Sequence, residues 1–173
     1  MKRPETLFEG SRFRVQRVVQ VTPDGVDHVR EIVRHPGAVT ILPLLADGRL
    51  CFVRNFRVAV DRTLIELPAG TLEPGEDPEE TARRELAEET GYRAASLRRL
   101  ATFFMSPGIL DERMHLYLAT SLTPGPTALE PGEDIQTLLA TWEEAMEMTR
   151  DGRICDAKTL VGVLYYNAFQ AAR

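Results

Sequence analysis

Glu85, Glu88 and Glu89 stand at i, i+3 and i+4 within the run Arg84-Glu85-Leu86-Ala87-Glu88-Glu89. On a helix, at about 100° per residue, the three carboxylates fall within an arc of roughly 100°. Carboxylates held so close repel one another. Hard divalent cations, which take oxygen ligands, are the usual occupants of such a cluster. The chemistry indicated is magnesium-dependent catalysis on a phosphate; Mn2+ or another divalent cation suits the same donors.

Such a cluster needs a helix with defined ends. Asp77 is placed to be the N-cap, Pro78 sits at N1, and Glu80 at N3 would complete a capping box. Gly91 is a natural residue just past the helix end. Ala82 and Leu86, with Thr90 one turn on, form the buried stripe. The carboxylates lie beside that stripe, so they are expected to face a cleft at the edge of the core.

The flanking sequence supplies a scaffold. Residues 12–20 alternate as a strand, Thr22-Pro23-Asp24-Gly25 reads as a turn, and residues 26–33 resume strand character. This predicts an N-terminal hairpin. Residues 38–45 and 49–54, around Asp47-Gly48, predict a second hairpin. Residues 63–67, 100–105, 114–119 and 136–142 read as further strands. Residues 122–134 form an acidic loop rich in Pro and Gly. A short helix is expected over 143–149, and an amphipathic one over 156–172 capped by Asp156. Sheets with few helices on their faces imply an α+β or α/β sandwich.

The 173 residues suit one domain with a small extension. A formal charge of −5 argues against a nucleic-acid surface. Cys51 and Cys155, far apart and in apolar surroundings, are expected to be reduced and buried. The first residues lack the apolar core of a signal peptide, and no apolar run is long enough to span a membrane. A cytoplasmic location is the expectation. His28, His35 and His115 show no ligand spacing and read as structural. Trp142 reads as core, and the Leu160, Val161, Leu164, Tyr165 stripe as core or dimer packing.

From Gly70 the chain runs five residues to Glu76, seven more, then Arg84-Glu85-Leu86-Ala87-Glu88-Glu89-Thr90-Gly91-Tyr92. This resembles the Nudix hydrolase signature at every fixed position; the one departure is Tyr92, where that family usually has an aliphatic residue. Val53-Arg54-Asn55-Phe56-Arg57, Glu66-Leu67-Pro68-Ala69-Gly70 and Pro107 are similar to the ADP-ribose pyrophosphatase subfamily. So are Arg30-Glu31-Ile32-Val33 with His35-Pro36-Gly37-Ala38-Val39, and residues 152–164. The resemblance spans roughly residues 26–170.

The resemblance implies a Nudix-type α/β/α sandwich with a mixed sheet plus an N-terminal β-hairpin extension. It divides the chain into a dimer-forming extension, 1–36, and a hydrolase domain, 37–173. It implies hydrolysis of ADP-ribose to AMP and ribose 5-phosphate with Mg2+. Another nucleoside diphosphate sugar such as GDP-mannose, or a non-catalytic ADP-ribose sensor, are the competing readings. Glu85, Glu89 and the carbonyl of Ala69 are then metal ligands, with Glu88 completing the cluster and Arg84 orienting the carboxylates. Glu133 aligns best as base or extra ligand, ahead of Glu130. Arg54 and Arg57 would hold phosphate or the terminal ribose. Glu112 would accept from ribose hydroxyls or form a structural salt bridge, and Arg30 and Glu31 would shape the adenine site. Phe8 and Phe13 are candidates for stacking on adenine or for ordinary packing. The N-terminal segment would cross to a partner subunit, giving a homodimer. Neither nucleic acid nor membrane is an expected partner.

Overall fold

The computed structural model describes residues 3–129, 132 and 134–170. A four-stranded mixed sheet forms the centre, in the order β7 (Ala69–Thr71), β4 (Ala38–Pro43), β9 (Arg113–Thr123), β8 (Arg93–Phe104). The β4–β9 pair is parallel and the other two pairs are antiparallel. β4 is buried along its whole length, as a parallel central strand must be when both faces are covered.

Strand alternation assigns those faces. Val39 and Ile41 of β4, with Tyr117 and Ala119 of β9, pack against Ala82 and Leu86 of helix α1 (Pro78–Thr90). Leu42, Leu116 and Leu118 point the other way. They meet Ala145 and Met148 of α2 (Trp142–Arg150) and Val163 of α3 (Ala157–Phe169). The result is an α/β/α sandwich. A three-stranded antiparallel sheet, β10 (Ile135–Ala140), β5 (Leu50–Arg57), β6 (Arg62–Glu66), supplies Leu50 and Phe52 to the second layer. Leu86 is fully buried, and truncating such a residue to alanine costs about 2–5 kcal/mol.

The N-terminal hairpin forms, with β2 (Arg14–Val21) against β3 (Asp27–Arg34). A strand not expected from the sequence, β1 (Glu5–Glu9), pairs with β2 and makes a three-stranded sheet. The second expected hairpin forms at its turn and does not extend along the strands. Leu44 bridges Leu50 antiparallel and the Leu45 N–H donates to the Arg49 carbonyl at 2.9 Å, but beyond that turn β4 and β5 belong to different sheets. Their apolar runs satisfy partners far along the chain rather than each other.

Local chemistry fixes both ends of α1. Asp77 accepts from the N–H of Glu79 at 2.8 Å, and Pro78 opens the helix. The cap therefore lands at N2 rather than at N3 as the capping-box reading has it; a capping box does form on α2, between Thr141 and Glu144. Gly91 ends α1 at φ 74°, where a Cβ would also strike the Gly125 carbonyl at 2.4 Å. Asp156 caps α3 by accepting from the N–H of Thr159. Cys51 is buried as expected, and burial pushes its thiol up to about 12. Cys155 is exposed, because it precedes the α3 cap on the surface; the expectation of two buried thiols fails there.

Candidate active site

α1 runs along one wall of a cleft of about 570 Å³, a size suited to a nucleotide-scale ligand. Glu85, Glu88 and Glu89 all line it, with Ala69 and Gly70 from β7 opposite them. Glu89 is nearly buried, and its Oε2 accepts from the N–H of Ala69 at 3.0 Å. Glu85 lies directly over Gly70, where a Cβ would sit 1.9 Å from its carboxyl carbon. The Leu-Pro-Ala-Gly turn thus makes a seat for the helix carboxylates that no side chain fills.

Arg84 ties the cluster together. Its Nε and Nη2 donate to the two oxygens of Glu76 at 3.2 Å. Its Nη1 donates to Glu85 at 2.7 Å and Glu88 at 3.1 Å. The forked bond to Arg84 outweighs desolvation and holds Glu76 down at about 2. The same bond to Glu76 raises Arg84, and Glu85 adds to the effect. Glu76, a fixed glutamate of the motif, is therefore part of the frame that orients the carboxylates.

On the facing wall Arg57 sends Nε and Nη2 to the two oxygens of Glu66, at 2.8 and 2.6 Å. Arg57 lines the cleft, whereas Arg54, three residues earlier on β5, is exposed and points to the other face of the strand. Glu112 also lines the cleft. His35 Nδ1 lies 3.9 Å from Glu112, but that nitrogen already accepts from the N–H of Gly37, so the contact is not a hydrogen bond.

Arg30 and Glu31 lie on the exposed N-terminal sheet, where Glu31 pairs with Arg17. They do not line the cleft of their own chain as described. Phe8 and Phe13 pack on each other at 5.8 Å between ring centroids. Glu130 and Glu133 lie outside the described residues. Sequence reasoning passed over Asn55, Glu73, Asp156 and Lys158 of the lining, as well as Ser11 and Arg12, which reach it from the turn between β1 and β2. The alternation that brings Arg57 inward also brings Asn55, so that residue was within reach of the sequence.

The described lining carries six carboxylates (Glu73, Glu85, Glu88, Glu89, Glu112, Asp156) against four cations (Arg12, Arg57, Arg84, Lys158). An anionic ligand enters such a cleft only with added positive charge. Among the described residues no three acidic or imidazole side chains are drawn into a closed cage, since the Arg84 guanidinium lies among them. The donors present are all oxygens, on the helix face and on the Ala69 turn, which is the chemistry of a hard divalent cation completed by ligand and water oxygens. The residues fit such an ion.

An acidic cleft fronted by a capped carboxylate helix defines a class: enzymes that turn a divalent cation on an anionic oxygen centre. The NUDIX domain family matches residues 34–160, and the chain belongs to that family as a Nudix hydrolase. The chain is 41% identical over 169 residues to an ADP-ribose pyrophosphatase of Bacillus subtilis (strain 168), covering 96% of this chain and 91% of that protein. It is 37% identical over 171 residues to a methanol dehydrogenase activator of Bacillus methanolicus, covering 98% and 92%. A crystal structure of an ADP compounds hydrolase has the same fold, with a TM-score of 0.84 at 24% identity over 96% of this chain and 91% of that one.

Proposed function

We propose that this protein hydrolyses the diphosphate of ADP-ribose, with Mg2+ as the working cation, to AMP and ribose 5-phosphate. The observation that carries the reading is the facing of the Glu85–Glu88–Glu89 cluster by Arg57 and Glu112 across one cleft. The chain's likeness to an ADP-ribose pyrophosphatase along nearly its whole length supports the substrate.

Glu85 and Glu89, with the Ala69 carbonyl, are the groups to hold the cation. When bound, it neutralises phosphate charge and lowers the pKa of a water. Arg84 keeps Glu85 and Glu88 from turning away. Arg57 meets the diphosphate and Glu112 the ribose hydroxyls. A water oxygen bonds to one phosphorus as the bridging P–O bond breaks, and the bridging oxygen leaves on the other phosphate. The water's proton goes to a carboxylate, for which Glu133 is our assignment.

Arg54, Arg30, Glu31 and the Phe8–Phe13 pair act, on this reading, across a homodimer, where residues 1–36 of one protomer extend towards the other's cleft. The exposed apolar side chains Leu7, Phe8, Val21 and Val29 on that sheet support an association there. A cytoplasmic setting goes with the same reading. No described helix is long and apolar enough to cross a membrane.

The test is AMP release by the purified chain with Mg2+, on ADP-ribose, GDP-mannose and diadenosine polyphosphates. Fastest turnover of ADP-ribose is expected. Preference for GDP-mannose would reassign the substrate, and no release from any of them would sink the enzyme reading.

A further inference from the structure

Lys158 sits in the first turn of α3, where the positive end of the helix disfavours an ammonium. Its side chain is only 9% exposed. A buried cation persists only when paired, and Lys158 is paired twice, with Glu66 and, at 2.9 Å, with Asp156. Glu66 is 1% exposed and takes the Arg57 fork on the same carboxylate. Burial pushes the Glu66 carboxyl up, but Arg57 and Lys158 together outweigh it and keep the group ionised. The relay Asp156–Lys158–Glu66–Arg57 therefore runs from the cap of α3 to the wall of the cleft.

Packing does not call for this relay, since apolar groups of similar volume often serve a core as well as a buried ion network or better. Its consequence is orientation. The fork fixes the Nε and Nη2 edge of Arg57 on Glu66, which leaves the Nη1 edge for a ligand. It also sets charge, because a Glu66 shared with Lys158 does not cancel Arg57 alone.

We propose that Lys158 and Glu66 are positioning residues for the anionic substrate, with Lys158 fixing the Glu66 carboxylate and Glu66 holding the Arg57 guanidinium towards the diphosphate. The proposal rests on the reading that Arg57 meets the diphosphate. The test compares kcat and KM for ADP-ribose in Arg57→Ala, Lys158→Met and the double variant. Loss of one charge-assisted hydrogen bond corresponds to about a tenfold rise in KM or more, with kcat changed far less. Lys158→Met should show that rise, and the double variant should be no worse than Arg57→Ala. Effects that multiply, or an unchanged KM in Lys158→Met, overturn the relay. An unchanged KM in Arg57→Ala overturns the reading beneath it. If Lys158→Met does not fold, the Glu66→Gln/Lys158→Met pair removes both buried charges. Its KM should stay raised, and a return to the native value overturns the proposal.

Discussion

Gly70 and Glu85 are in contact across the cleft wall: a Cβ on Gly70 would stand 1.9 Å from both Cδ and Oε1 of Glu85. Gly70 pairs with Val39 in the β7–β4 ladder, so its backbone is fixed, while Glu85 can turn about its side-chain bonds. Gly70→Ala should therefore move the carboxylate and spare the fold. Activity should drop by about a hundredfold, as for the loss of one well-placed charged group at a reacting centre, with the melting temperature nearly unchanged. Thermal denaturation beside AMP-release kinetics checks this. Full activity in Gly70→Ala would show that Glu85 does not work from this seat.

Glu85→Gln and Glu89→Gln should each remove most turnover. The cation is worth several kcal/mol of charge stabilisation, so impaired binding translates to about a hundredfold or more in kcat. The two differ in structure: Glu89 also accepts from the Ala69 N–H, whereas Glu85 accepts from Arg84. Glutamine can replace either as an acceptor, so the fold should survive. Titrating Mg2+ against rate is the check, and a near-native kcat at saturation contradicts the ligand assignment.

How far the sequence carried depended on the range of the interactions. The α1 boundaries were legible because Asp77 and Gly91 act within a turn of themselves. The site helix was legible because its carboxylates are spaced by the helix period. The β4–β5 turn was legible in Asp47-Gly48, but not that the pairing stops at Leu44 and Leu50, because an apolar run does not name its partner and β4 takes β9 in parallel. The Glu66–Lys158 contact spans 92 residues, and nothing local to Lys158 announces it. Arg54 and Arg57 are a different case. Three residues apart on a strand, they must face opposite ways, so one chain could not aim both at the same ligand.

Acid should weaken the Glu76–Arg84 frame in a defined window. Glu76 is held at about 2, below an ordinary value of 4.5. A depressed carboxyl contributes stability that is complete above its unfolded pKa and is lost as pH falls through the folded one. The melting-temperature gap between the native chain and Glu76→Gln, measured in EDTA, should be constant above about pH 5 and shrink towards pH 2. A gap that does not change with pH would mean that Glu76 works by packing alone.

The two thiols should react at separate stages. Cys155 is exposed, while Cys51 is fully buried and pushed up to about 12 by that burial. Thiolate is the nucleophile, so a disulfide reagent at neutral pH should label one thiol per native chain and two in denaturant. Rapid labelling of both without denaturant would place Cys51 in a segment that opens readily.

Glu133 and Glu88 are the two candidates for the base, and their substitutions should separate them. Glu88 accepts from Arg84 Nη1 at 3.1 Å, so its carboxylate is already engaged by a neighbour on α1. Glu133 lies outside the described residues, and its assignment rests on the family resemblance. General-base catalysis contributes about 10²–10⁴ to rate, so Glu133→Gln should lower kcat by that order and leave KM for ADP-ribose nearly unchanged. Glu88→Gln should instead raise the Mg2+ concentration needed for half-maximal rate, because Glu88 completes the cation cluster. The reverse pattern, with kcat lost in Glu88→Gln and kept in Glu133→Gln, would move the base onto α1. It would also require Arg84 to release Glu88 when substrate binds.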